Sequence, residues 1–225
     1  MIEELLPDSV VAVEAHGDEV RDAPLYPEEE ALMTRAVAKR RREFSAVRAC
    51  ARRAMDKLGV PPQAVVTGAS GAPVWPAGLV GSMTHSDDYC AAALARATDL
   101  ASLGIDAEPH SPLPDDVASF VFLPTEAERL RGLAADHPAV HWDRILFSAK
   151  ESVYKAWFPL TGKWLDFAEA DIEVLPDPEG SPHGRLSAGL LVPGPRVGGH
   201  RLQSFEGRWS VRRGVVTTAV VVPHA

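Results

Sequence analysis

The stretch LGIDAEPH, residues 103–110, alternates apolar Leu103, Ile105 and Ala107 with Gly104, Asp106 and Glu108. That is the period of a β-strand, and Pro109, which has no N–H to donate, stops the ladder. The alternation sets Asp106 and Glu108 side by side on one face. Carboxylates so close repel unless something positive lies between them. The rest of the chain has to supply that charge.

Downstream, HWDRILFSAKESVYKAWF (141–158) has the period of a helix and is expected to end at Pro159. On it Phe147, Glu151 and Lys155 follow one another at i, i+4 and i+8. A Glu-to-Lys pair at this spacing is also an ordinary surface feature, stabilising by only a few tenths of a kcal/mol. Three acids (Asp106, Glu108, Glu151) without a histidine or cysteine partner favour a hard cation, Mg²⁺ before Zn²⁺. Such an ion completes its shell with water and substrate phosphates, and would cancel the charge at Asp106 and Glu108.

Upstream, residues 35–57 hold nine Lys or Arg against two acids, Glu43 and Asp56. AKRRREFSAVRACARRAMDKLG (38–59) is an amphipathic helix stopped by Gly59, Pro61 and Pro62. Advancing about 100° per residue, Phe44, Val47, Ala51, Ala54, Met55 and Leu58 gather around Arg40. Arg48 borders that face, while Lys39, Arg42, Arg53 and Lys57 lie opposite, where a solvated face explains them. Arg40 is thus expected to be buried and to need a partner, either a protein acid or a phosphate that matches its planar fork.

The remaining elements make an α+β chain. Strands are expected at 10–15, 78–86, 89–95 and after 171, with a turn at Asp87-Asp88 and a hairpin turn at Glu206-Gly207. YPEEEALM opens a helix with Pro27 in its first turn, and LPTEAERLRGLA is a short helix with Thr125 and Glu128 as a possible capping box. No internal repeat is legible. His85 in GSMTHS is either catalytic or a structural strand-end residue, and the spacing of His137 and His141 is broken as a metal pair by Pro138.

Totals narrow the classes. The 225 residues are 46% hydrophobic and 24% charged, with net charge −8. They suffice for one large domain or two packed halves. The acidic balance argues against nucleic-acid binding, while one basic helix suits a small polyanion. Cys50 and Cys90 read as free thiols of a reducing cytosol. The acidic N-terminus is no signal peptide, and no run has the length of a membrane span.

GIDAEPH followed after 45 positions, from Asp106 to Glu151, by FSAKESVYKAW resembles the two-part signature of the Sfp-type 4′-phosphopantetheinyl transferases. RRREFSAVR, PVWPAGLVGSMTHS and FPLTGKWLDF are also similar to the family, most of all to its actinobacterial, carrier-protein-activating branch. The resemblance implies a pseudo-dimer of two similar α+β halves, 1–100 and 101–225, with coenzyme A in the cleft between them. The first half would bring the basic helix and the THS loop, the second the D-x-E strand and the KESxxxK helix. It implies Mg²⁺ on Asp106, Glu108 and Glu151, and coenzyme A contacts from Arg40, Arg48, Thr84, His85, Lys150 and Lys155. Leu165 and nearby aromatics would line the pantetheine arm. Relatives often carry a lysine where Thr67 stands here.

The expected reaction is transfer of 4′-phosphopantetheine from coenzyme A to a serine of an apo carrier protein of fatty-acid, polyketide or nonribosomal-peptide synthesis. Asp106, Glu151 and Lys155 are the expected catalytic residues, in a cytoplasmic monomer. A non-catalytic coenzyme A-binding protein on the same scaffold is the alternative, and a Mg²⁺-dependent pyrophosphohydrolase a third reading. The apolar Phe120, Phe122 and Leu123 are a candidate carrier-docking stretch or part of a core.

Overall fold

The computed structural model describes residues 1–17, 19, 23–177 and 182–224. Along the chain these form β1 (Val11–His16), α1 (Pro27–Leu32), α2 (Ala38–Lys57), β2 (Leu79–Ser86), β3 (Tyr89–Arg96), β4 (Leu100–Pro109), α3 (Asp115–Val121), α4 (Pro124–Asp136) and α5 (Trp142–Thr161). Then come β5 (Ala170–Pro176), β6 (His183–Leu190), β7 (Arg196–Val197), β8 (His200–Arg201), β9 (Ser204–Arg212) and β10 (Val215–Pro223). All named strand pairs are antiparallel, in the orders β1-β3-β2, β4-β10-β9-β6-β5 and β7-β8. The fold is α+β, as expected.

Each large sheet carries one long helix. The apolar stripe of α2 (Val47, Ala51, Ala54, Met55) packs on the first sheet with Val13 and Leu94. Ile145, Leu146, Ala149 and Val153 of α5 pack on the second with Ile172, Leu186 and Val220. A third cluster joins the halves, running from Ile2, Leu5 and Ala91 to Leu103, Ile105 and Ala219.

At this seam two sheet edges, β2 and β4, face each other without forming a ladder. The edge N–H groups of β4 would otherwise be buried unpaired. Ser82 accepts from the Ile105 N–H at 3.0 Å, and Thr84 from the Ala107 N–H at 3.0 Å. Gly104 permits the other close approach. A Cβ there would collide with the Ser152 carbonyl oxygen and lie 2.7 Å from the Ala156 nitrogen. The glycine therefore lets α5 lie directly on the backbone of β4.

A shared motif marks the two halves. Pro27 and Pro124 each open a short helix whose third residue, Glu29 or Glu126, is buried. Glu29 accepts from the N–H groups of Tyr26 (3.0 Å) and Val65 (2.8 Å) and pairs with Arg52 of α2 at 2.8 Å. Glu126 does the same with Leu123 (2.8 Å), Ile172 (2.8 Å) and Lys150 of α5, 2.8 Å away. The repeat unseen in the sequence is this Pro-x-Glu.

Three expectations are corrected. The last hairpin turns at Arg213-Gly214, both at positive φ as a tight I′-type turn requires, and not at Glu206-Gly207, which lies inside β9. A side chain at Gly207 would strike the Ala219 carbonyl oxygen, so its glycine serves packing. Pro159 does not end α5, which continues to Thr161 and stops at Gly162 in the left-handed region. Pro159 lacks the N–H that would bond the Lys155 carbonyl, and the chain tolerates this loss in the last turn of the helix. The capping acid of α4 is Glu126, not Glu128 paired with Thr125, because the helix starts at Pro124.

Candidate functional site

A cavity of about 320 Å³ opens between the halves. From the first half, Arg40, Phe44, Arg48 and His85 line it, together with the 67–75 loop. From the second, Glu151, Tyr154, Lys155 and Phe158 face them. The loop is shaped by Ser70 and Gly71 at positive φ and is held by the Trp75 indole, which donates to the Gly81 carbonyl at 2.9 Å.

Arg48 is buried and stacks over Phe44, its guanidinium carbon 3.1 Å from the ring centre. It donates to the Val65 carbonyl (2.8 Å) and the Thr67 hydroxyl (3.3 Å). Burial pulls its pKa down to about 10, so it stays charged at neutral pH. Thr67 thus abuts an arginine.

Arg40 is exposed, contrary to the buried position expected from the helical wheel. It lies in the first turn of α2, before the stretch that meets the sheet, and its guanidinium reaches His85 Nε2 at 3.3 Å and Glu43 at 3.8 Å. Burial lowers the pKa of His85, opposed by the nearby Glu43 charge.

The charge at Asp106 and Glu108 is cancelled within the protein. Asp106 is 4% exposed and accepts from Lys155 (2.7 Å), Ser148 (2.8 Å) and Thr84 (3.3 Å). Glu108 pairs with Arg144 at 3.0 Å. Its carboxyl is nevertheless pushed up to about 7, by burial first and then by the Asp106 charge, against Arg144 and Lys155. Burial also raises the pKa of Glu151, which Lys155 partly offsets. Lys155 turns to Asp106 and to the Ile105 carbonyl, and so is not a plain surface partner of Glu151.

Among the described residues no three Asp, Glu, His or Cys side chains converge as a metal cluster, so Asp106, Glu108 and Glu151 do not form a closed three-acid cage. Asp106 and Glu108 are hard oxygen donors on one strand, of the kind Mg²⁺ takes; of the three acids only Glu151 lines the cleft, and Asp106 is tied to it through Lys155.

Two expected contact residues are otherwise engaged. Lys150 is buried and gives its N–H groups to Glu126 and to the carbonyls of Phe167 (2.7 Å) and Ala170 (2.9 Å), at the edge of the side cavity that Leu165 borders. The Thr84 hydroxyl serves Asp106 and the seam. Leu165 lies in a small side cavity of about 70 Å³ that Glu151 and Tyr154 also border. Tyr154 was missed from sequence, as were Ser148 and Arg144. Among the described residues the buried Tyr154 hydroxyl has no hydrogen-bond partner, although its ring packs against Phe158 and Trp164. Its place one turn from Glu151 in KESVYKAW was the available signal.

The site thus joins cations of one half to acids and a lysine of the other, the equipment of a group-transfer enzyme acting on a polyphosphate ligand. The family model of the 4′-phosphopantetheinyl transferase N-terminal domain matches residues 28–95, and that of the 4′-phosphopantetheinyl transferase superfamily matches residues 102–210. The chain belongs to the 4′-phosphopantetheinyl transferase family. It is 56% identical to the 4′-phosphopantetheinyl transferase Svp of Streptomyces mobaraensis, over 99% of this chain and 89% of that protein. It is 46% identical to PptT of Mycobacterium tuberculosis (99% and 98% covered) and 47% identical to Npt of Nocardia iowensis (98% and 99% covered), both also 4′-phosphopantetheinyl transferases. Nothing in the site or the relatives favours a non-catalytic scaffold.

Proposed function

We propose that the protein transfers 4′-phosphopantetheine from coenzyme A to a serine hydroxyl of apo carrier proteins of fatty-acid, polyketide or nonribosomal-peptide synthesis. The serine oxygen bonds to the β-phosphorus of the coenzyme A pyrophosphate, the bond to the bridging oxygen breaks, and 3′,5′-ADP leaves. The observation that carries this reading is the cleft itself, with Arg40 and Arg48 on one wall and Glu151 and Lys155 on the other. Arg40, Arg48 and His85 hold the nucleotide phosphates. Glu151, whose raised pKa makes it a better base near neutrality, accepts the serine proton. Lys155 stabilises charge on the transferring phosphoryl group. Asp106 and Glu108 would hold Mg²⁺, which supplies charge neutralisation on the pyrophosphate. The pantetheine arm runs towards Tyr154 and Leu165.

Phe120 on α3 is 81% exposed and presents an apolar contact for the carrier, whereas Phe122 packs against the core of the second half. One chain supplies both walls of the cleft, which supports a monomer. The buried free thiols Cys50 and Cys90 suit the cytosol, and among the described residues no helix is long and apolar enough to cross a membrane. The test mixes the protein with coenzyme A, Mg²⁺ and an apo carrier and weighs the carrier by mass spectrometry. One added phosphopantetheine is expected, and none when a chelator is present from the start. An unmodified carrier with coenzyme A consumed would point to hydrolysis instead.

A further inference from the structure

One face of α5 is laid against β4 so that each polar side chain meets a partner in order: Lys155 and Ser148 at Asp106, then Arg144 at Glu108. Arg144 does more than pair. Its Nη1 donates to Glu108 Oε2 at 3.0 Å, its Nε to the Ser111 carbonyl at 3.1 Å, and its Nη2 to the Pro112 carbonyl at 2.9 Å. The side chain is 13% exposed; its bonds to Glu108 and Ser111 are partly buried, and the one to Pro112 lies at the surface. The same turn is fastened twice more. Asp143 accepts from the Leu113 N–H at 2.7 Å, and His110 Nε2 accepts from the His141 N–H at 3.1 Å.

We propose that Arg144 is a positioning residue for the transfer reaction: its guanidinium, fixed on the Ser111 and Pro112 carbonyls, holds the Glu108 carboxylate in the orientation in which its other oxygen receives a divalent cation. This rests on the reading of Glu108 as a metal ligand. A planar fork bridges three acceptors in fixed directions, which an ammonium on a flexible stem does not reproduce. Simple electrostatics predicts the opposite sign, since removing a cation beside a metal site would tighten metal binding. Loss of a hydrogen-bonded partner that orients a ligand typically costs about 10–100-fold in metal affinity, and we expect orientation to win here.

The experiment is an electron paramagnetic resonance titration of Mn²⁺ into the protein with coenzyme A, for wild type, Glu108→Gln, Arg144→Met, Arg144→Lys and the Glu108→Gln/Arg144→Met pair. Circular dichroism checks folding, and Arg144→Lys carries the test if Arg144→Met does not fold. Arg144→Met and Arg144→Lys should each bind Mn²⁺ at least about tenfold more weakly than wild type. The double variant should be no weaker than Glu108→Gln alone, because both changes remove one interaction. Unchanged Mn²⁺ affinity in Glu108→Gln would reject the metal reading of Glu108. Weakening there, with wild-type or tighter binding in the Arg144 variants, would reject the proposal for Arg144 while leaving Glu108 in place.

Discussion

At Glu151 burial opposes the negative charge and Lys155 favours it, with burial the larger influence. A carboxylate so placed suits proton acceptance better than tight metal ligation. Glu151→Gln keeps the size and removes basicity. Single-turnover transfer should fall by roughly 10²–10⁴, and excess Mg²⁺ should not restore it. Recovery at high Mg²⁺ would make Glu151 chiefly a ligand. Glu108 offers a separate test through stability. Its carboxyl lies near 7 in the folded protein against an ordinary 4.5. Ionising it therefore costs more in the folded than in the unfolded chain, and stability drains away as pH rises through that window. Between pH 5 and 8 the wild type should lose roughly a few degrees of Tm relative to Glu108→Gln, followed by circular dichroism without ligand. Parallel profiles would mean that the carboxyl is not perturbed. Residue identities were legible where a sequence pattern demanded a charge, as at Asp106 and Glu108. The partners were not, because Lys155 and Arg144 reach them across 36 to 49 positions of chain.

At the scale of elements, α2, the β2–β3 hairpin and β4 were readable because each is set by local periodicity and a local stop. Errors fell where tertiary contact overrides the local rule. Gly207 reads as a turn residue, but it is a glycine because two neighbouring strands leave no room for a side chain. Lys150 pairs with Glu126, just as Arg52 pairs with Glu29 in the other half, a contact that no local pattern announces. The Pro-x-Glu motif that would have shown this is three residues long and meaningful only once both long helices are in place. Gly104 belongs to the same class. It sits in the signature stretch, yet its side-chain absence serves the contact of α5 with β4. Gly104→Ala should force α5 away from the strand, destabilising by on the order of 3 kcal/mol. That displacement would also part Lys155 and Ser148 from Asp106, so transfer should fall even at temperatures where the variant remains folded. Urea unfolding and a carrier-loading assay read the two effects. A variant with wild-type stability would mean that the helix can shift freely over β4.

Across the whole molecule, two sheets meet at a seam that has hydroxyls where a strand ladder would be, and the cleft opens beside it. No window of sequence contains both walls, which is why composition and periodicity led only as far as a basic helix and an acidic strand. The family signature, whose two parts lie 45 positions apart, implied their meeting. A ligand that touches both walls stabilises the folded assembly by mass action, about 2.7 kcal/mol at a concentration 100 times its Kd. Coenzyme A should therefore raise the Tm of the wild type. Arg48 lies in the cleft and Arg53 on the solvated side of the same helix. Arg48→Ala should weaken coenzyme A binding by about 1.5–3 kcal/mol, the range of hydrogen bonds to a charged group, and should shrink the thermal shift accordingly. Arg53→Ala should leave both near wild type, since its charge is screened by solvent. Isothermal calorimetry alongside the melting curves separates binding from intrinsic stability. Equal losses at Arg48 and Arg53 would show that coenzyme A senses the overall charge of α2, and the cleft would cease to be the binding site.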